Sequence, residues 1–172
     1  MTIAPIDVRD LAGHPGASRA ERIAWEVEGL GSELATLAAG EPVVGDLLFE
    51  SVVEGVLTSG RVHGTLALRC ARCLDEFERP LDFEINELFS IDAADEDADV
   101  YPLGSDGWLD PDQMVRDAIG LELPFAPLCR PECLGICGRC GGNRNLGECE
   151  CTEPADDPRW AALEQLLGQI SD

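Results

Sequence analysis

Eight cysteines in two sets constrain this chain more than any other feature. Cys70 and Cys73 stand either side of Ala71 and Arg72. Cys129, Cys133, Cys137, Cys140, Cys149 and Cys151 crowd a segment that also holds Pro131, Gly135, Gly138, Gly141, Gly142 and Gly147. Such a segment has little apolar material to order it, whereas a bound metal can, because its binding energy becomes folding energy. A Cys-x-x-Cys turn lets two sulfurs reach one ion about 2.3 Å away. Cys137-Gly138-Arg139-Cys140-Gly141 has zinc-knuckle spacing, with glycine where the backbone must turn tightly. Cys149-Glu150-Cys151 can close that site, leaving Cys70, Cys73, Cys129 and Cys133 for another. Pairing Cys70 and Cys73 with Cys137 and Cys140 is the alternative grouping. Eight thiolates predict two structural zinc ions per chain, and neither histidine falls within either set.

Other uses of the cysteines fit less well. The N-terminus, Met1 to Val8, has no basic start and no long apolar run, so no secretory signal is expected there. No stretch reaches the ~18 apolar residues of a membrane span. A cytoplasmic location follows as the expectation, and a reducing compartment disfavours a disulfide framework. No strand-to-helix start follows Cys70 and Cys73, as a thioredoxin-like pair requires. Ferredoxin spacings are absent. Catalytic zinc keeps a position open for water, whereas an all-thiolate site is closed.

The remaining sequence supplies a core. Of 172 residues, 45% are hydrophobic, enough for one domain over 1–172. The expected class is α+β: an antiparallel β-meander, a Cys-rich zinc-binding segment and two short helices. Its parts are a β-rich region (1–90), an acidic loop (91–107), a helix (110–123), the zinc segment (128–152) and a C-terminal helix (157–170). Residues 3–8 alternate weakly, as a short strand does. Ile23, Trp25 and Val27 alternate within 22–28 and suggest a strand, although Ser18 and Glu21 could form a helix capping box. The stretch 29–42 is ambiguous. Val62, Gly64, Leu66 and Leu68 share one face after a turn expected at Thr58-Ser59-Gly60, and Leu81, Phe83, Ile85 and Glu87 share another. Asp110-Pro111 starts the first helix and Pro124 ends it. Asp157-Pro158 starts the second, whose stripe is Trp160, Leu163, Leu167 and Ile170.

Charge narrows the function classes. Asp and Glu number 34 and Arg 12, there is no Lys, and the net charge is -22. Such a body repels nucleic-acid phosphates and suits a basic protein partner, or serves solubility alone. The acidic run at 92–99 reads as a solvated loop. Half of the arginines flank the cysteines: Arg69, Arg72 and Arg79 near the first pair, and Arg130, Arg139 and Arg144 within the second set. Arg69, Arg72, Arg130, Arg139 and Arg144 are therefore candidates for contact with RNA or a partner, or for neutralising metal–thiolate sites. No paired histidines, nucleophile elbow or phosphate-cradling glycine loop is present. We expect neither an enzyme nor a small-molecule substrate.

Several motifs, in order, carry a family resemblance. Glu50-Ser51-Val52-Val53-Glu54-Gly55-Val56-Leu57 and Cys70-Ala71-Arg72-Cys73-Leu74 resemble the YceD family of bacteria and plastids. So do Leu123-Pro124-Phe125-Ala126-Pro127-Leu128-Cys129, the run from Cys133 to Gly141, and the closing Asp157-Pro158-Arg159-Trp160-Ala161-Ala162-Leu163. The resemblance spans about residues 43–167 and extends weakly to the N-terminus. It implies a role in accumulation of large-subunit ribosomal RNA, and the family carries no catalytic activity. Its gene commonly neighbours one for a small, basic large-subunit ribosomal protein. The implied partner is a large-subunit ribosomal protein or pre-ribosomal particle, with limited rRNA contact and no membrane. Some members lack cysteines matching Cys149 and Cys151, which casts the second site as a local stabilising addition. The competing class is a zinc-ribbon regulator of transcription or redox state.

Overall fold

A computed structural model describes residues 3–11, 13–91 and 100–151. The expected C-terminal helix at 157–170 and the acidic run at 92–99 lie outside the described residues. The described residues contain eight strands in chain order: β1 (Ile6–Asp7), β2 (Ser18–Trp25), β3 (Ala35–Leu37), β4 (Val43–Ser51), β5 (Gly55–Arg69), β6 (Glu76–Ser90), β7 (Tyr101–Pro102) and β8 (Trp108–Leu109). Among the described residues they are followed by one α-helix, α1 (Asp112–Glu122), and a 3₁₀ turn (Arg144–Leu146).

The main sheet runs β2-β4-β5-β6-β7, with β3 also paired to β5. β5 is its spine. β6 follows it along all fifteen residues, while β4 and β3 share its opposite edge end to end. All these pairings are antiparallel except β6–β7, which is parallel. β1 and β8 form a separate two-stranded sheet.

The alternation in the sequence decides which face is covered. Val62, Leu66 and Leu68 of β5 and Leu81, Ile85 and Phe89 of β6 are buried. Phe83 and Glu87 are half-buried on the same face, as the period of two demands. Trp25, Val43, Leu47, Phe49 and Val56 join them, with Met114, Val115 and Ile119 from α1. Each large side chain buried this way stabilises the fold by about 1.5–3 kcal/mol. Burial also raises the Glu87 carboxyl above its ordinary range, helped by the charge on Asp117.

Four details differ from the sequence expectation. Thr58-Ser59-Gly60 is not a turn but lies within β5, where Gly60 faces Leu47 of β4. Gly60 has φ +148°, and a Cβ there would overlap the Asp46 carbonyl oxygen. Its glycine therefore serves close approach of two strands, not reversal. The reversal comes at Val52–Gly55, where Val52 N–H donates to Gly55 O at 2.9 Å. Second, the strand expected at 22–28 spans Ser18–Trp25 instead, so Ser18 and Glu21 cap no helix. Third, part of the expected 91–107 loop is strand, because Tyr101–Pro102 pairs with the end of β6. Fourth, α1 begins at Asp112, two residues later than expected. Pro111 takes the N-cap position, and Asp110, just before it, accepts the Asp112 N–H on its Oδ1 at 3.0 Å. The helix ends at Glu122, and Leu123, restricted by Pro124, is extended at φ -70°, ψ 122°. No helix among the described residues is long and apolar enough to cross a membrane.

Candidate metal centres

The turn joining β5 to β6 carries Cys70 and Cys73, and its backbone is closed by two bonds. Leu74 N–H donates to Cys70 O at 2.9 Å, and Cys70 N–H to Asp75 O at 2.9 Å. Leu74 adopts φ +63°, the only non-glycine with positive φ among the described residues. The turn at Cys137 repeats this geometry. Gly141 N–H donates to Cys137 O at 2.9 Å, Cys137 N–H donates to Gly142 O at 2.8 Å, and Gly141 has φ +74°. Two separate stretches thus fold into the same knuckle, each presenting two sulfurs to one side.

The second pair of each set arrives from elsewhere. Cys70, Cys73, Cys129 and Cys133 come together, as do Cys137, Cys140, Cys149 and Cys151, with all four sulfurs of each group within 4.8 Å of one another. Cys70 and Cys73 do not group with Cys137 and Cys140. The Sγ–Sγ separations are 3.7 Å for Cys70–Cys133 and 3.7 Å for Cys73–Cys129. Four sulfurs placed tetrahedrally about 2.3 Å from a zinc ion stand about 3.8 Å apart. A disulfide would need about 2 Å. The first donor set therefore fits a tetrahedral thiophilic ion, and the second has the same four-thiol composition. Histidine enters neither group; His63 lies on the sheet, its Nδ1 3.9 Å from Asp46.

Proton affinities within each group diverge. Burial pushes the Cys70 thiol up, but backbone N–H donors from Cys129, Cys73 and Arg72 outweigh it and bring it down to about 6. Burial likewise raises Cys133, while the Asn145 amide and the Gly135 N–H bring it below its ordinary value. Burial raises Cys73 and Cys129. In the other group the N–H donors of Cys140 and Arg139 lower Cys137 to about 6. Neighbouring Cys140 is the main cause that drives Cys151 up to about 12, and Cys137 raises Cys149. Cys70, Cys133 and Cys137 therefore give up protons readily, whereas Cys73, Cys129, Cys149 and Cys151 hold theirs. A divalent cation at the centre removes that hold.

The two groups are stitched together by residues that the cysteine spacing does not announce. Asn143 is buried and its Nδ2 donates to Asp75 Oδ2 at 3.2 Å, reaching the first knuckle. Its Oδ1 accepts from Asn145 N at 3.0 Å and Asn145 Nδ2 at 2.9 Å. Asn145 Nδ2 also lies 3.4 Å from the Cys133 sulfur. Ile136 N–H donates to Arg72 O at 3.0 Å. The loop between Cys140 and Cys149 thus braces a sulfur of the other group. Asn-x-Asn in a glycine-flanked loop is the sequence trace of this brace, since asparagine side chains readily bond nearby backbone. Phe77 packs against both the cysteine cluster and the main core.

The candidate arginines divide by what they touch. Arg69 Nη2 pairs with Glu76 at 3.0 Å. Arg72 Nη1 donates to Cys133 O at 3.0 Å, and Arg130 Nη2 to Asn145 Oδ1 at 2.7 Å. Arg144 bonds through its backbone to Gly135 O at 2.9 Å. Arg139 is exposed, and its backbone N–H points at the Cys137 sulfur at 3.4 Å. Exposed apolar side chains stand among them: Leu74, Phe125, Leu134 and Leu146.

Comparison with known proteins agrees with the motif order. The family model described as large ribosomal RNA subunit accumulation protein YceD matches residues 58–167, which include all eight cysteines. The chain belongs to the YceD family. An uncharacterized protein of Mycobacterium tuberculosis is 36% identical over 177 residues, covering 97% of this chain and 83% of that protein. One from Mycobacterium leprae is 35% identical over 176 residues, covering 96% of this chain and 79% of that protein. A plant YceD relative, the large ribosomal RNA subunit accumulation protein homolog 1, chloroplastic, of Arabidopsis thaliana, is 31% identical over 62 residues. That match covers 36% of this chain and 19% of the plant protein. No solved structure matches significantly.

Proposed function

We propose that the chain is a non-catalytic, zinc-bearing factor for biogenesis of the large ribosomal subunit, acting in the cytoplasm. It supports accumulation of large-subunit rRNA by holding a basic ribosomal protein until assembly. Membership in a family named for that accumulation is the observation that carries the pathway. The two four-sulfur groups support a structural part for the metal. Cys70, Cys73, Cys129 and Cys133 would hold one zinc ion, and Cys137, Cys140, Cys149 and Cys151 the other. Zinc at such a site supplies folding energy and charge neutralisation, with no position left for a reacting water. A net charge of -22 favours a basic protein over bare RNA as the direct partner.

Depleting the protein from growing cells tests the pathway. Mature large-subunit rRNA should fall relative to small-subunit rRNA, and unchanged ratios would overturn the assignment. A zinc-ribbon-type regulator or redox sensor is the second reading, and the exposure of Cys140 and Cys151 favours it. A sensor would release zinc on mild oxidation with a matching change in activity. An assembly factor would lose zinc without gaining or losing a regulatory output.

A further inference from the structure

Residues 26–42 connect β2 to β4 with only the three residues of β3 as regular structure. They enclose an open groove of about 550 Å³. Its shape is held from several sides. Arg116 Nη1 donates to Glu28 O at 2.9 Å, Ala38 N–H to Thr65 O at 2.9 Å, and Ser32 N–H to Ala35 O at 2.8 Å. Val27, Leu30 and Leu37 form an apolar floor, half-buried and packed beneath onto the main core. Glu26 and Glu41 are exposed in its lining, and neither pairs with an arginine or histidine among the described residues, while the Arg116 guanidinium sits on the Glu28 carbonyl.

These two carboxylates without an ion pair set the groove apart. Four other surface depressions also hold carboxylates, and each carries its own arginine in an ion pair. The pairs are Arg69–Glu76, Arg19–Asp10, Arg61–Glu84 and Arg22–Asp46. Glu26 and Glu41 have no ion-pair partner among the described residues. Carboxylates left unpaired around an apolar floor focus negative potential into the groove. Such a site repels phosphate, which removes RNA as the occupant. A small polyamine would satisfy the carboxylates and leave the floor unused.

We infer that this groove receives an extended segment of a basic partner protein, whose apolar side chains cover Val27, Leu30 and Leu37 while its arginines or lysines meet Glu26 and Glu41. The inference rests on the proposed assembly role and names the surface through which the acidic body would hold its partner.

The test uses the full-length, zinc-loaded protein and a fluorescent synthetic peptide of alternating arginine and leucine, at physiological ionic strength. The variant E26Q/E41Q should weaken binding at least ~10-fold, and the charge-matched surface control E54Q/E122Q less than ~2-fold. Ala39→Arg, an exposed wall position, should abolish binding while leaving thermal unfolding unchanged. Equal losses in E26Q/E41Q and the control would overturn the groove assignment. Affinity purification from cells separates the two levels. If wild type and E26Q/E41Q retrieve the same large-subunit proteins, the groove inference fails and the assembly role stands. If wild type retrieves none, the assembly role fails, and the peptide measurement alone decides the groove.

Discussion

The knuckles at Cys70 and Cys137 are closed by the same pair of backbone bonds, yet their surroundings differ. In the first group Cys70, Cys73 and Cys133 are buried and Cys129 exposed. In the second, Cys137 and Cys149 are half-buried and Cys140 and Cys151 exposed. The first turn ends a long hairpin and packs through Phe77 onto the core. The second hangs on the first through Asn143, Asn145 and Ile136. Identical local geometry therefore does two jobs: one site anchors a distant segment to the sheet, the other folds a glycine-rich loop upon itself.

The largest test of that contrast is substitution of one ligand from each group. Cys133→Ser should destabilise the zinc-loaded protein by roughly 3–5 kcal/mol, because it unpins the whole segment from the β5–β6 turn. Cys151→Ser should cost less than half as much, measured by urea unfolding of both. Equal losses would erase the distinction between anchor and appendage. Chelation comes next. Two zinc ions should leave in two kinetic phases followed by native mass spectrometry, and Cys137→Ser should remove the faster one. A single phase for both ions would break the comparison.

A third experiment probes the brace between the groups. Asn145→Ala removes the amide facing the Cys133 sulfur and the acceptor used by Arg130 and Leu134. Supporting contacts of this kind typically contribute 10–100-fold in metal affinity. The loss should fall on the first site, read by competition with a zinc-binding dye, although Asn145 lies between ligands of the second. The smallest effect concerns the residue that closes each knuckle. Gly141→Ala should cost about 1 kcal/mol, since φ +74° strains any side chain. Leu74→Gly relieves the same strain but loosens the unfolded chain, so the net change should stay within ~1 kcal/mol. Thermal unfolding of the two variants side by side checks this.

Much of the sheet and of the sulfur chemistry was legible in the sequence, for different reasons. Alternation places Val62, Leu66 and Leu68 on the covered face because a strand offers only two faces. Cys-x-x-Cys spacing reports a local turn, so both knuckles could be located without knowing the fold. Gly60 misled because glycine permits both a reversal and a close strand contact, and only the partner strand decides between them. β3 was illegible since three residues carry no periodicity and owe their pairing to β5, some thirty residues away in sequence. Arg72 and Arg130 could be placed near the cysteines, but not their bonds to Cys133 O and Asn145. Those bonds join residues 61 and 15 positions apart, a distance that no local pattern records.

The span between the two halves of the first group has a consequence in time. Cys70 and Cys133 are 63 positions apart, and Cys73 and Cys129 are 56. On a ribosome adding ~5–20 residues per second, Cys70 and Cys73 emerge roughly 3–12 s before the thiols that complete their set. The second group is written within fifteen residues, from Cys137 to Cys151, and can close almost as soon as it appears. The buried centre is thus begun first and finished late, and for several seconds of each synthesis its first two thiols stand half-assembled at the tip of a hairpin.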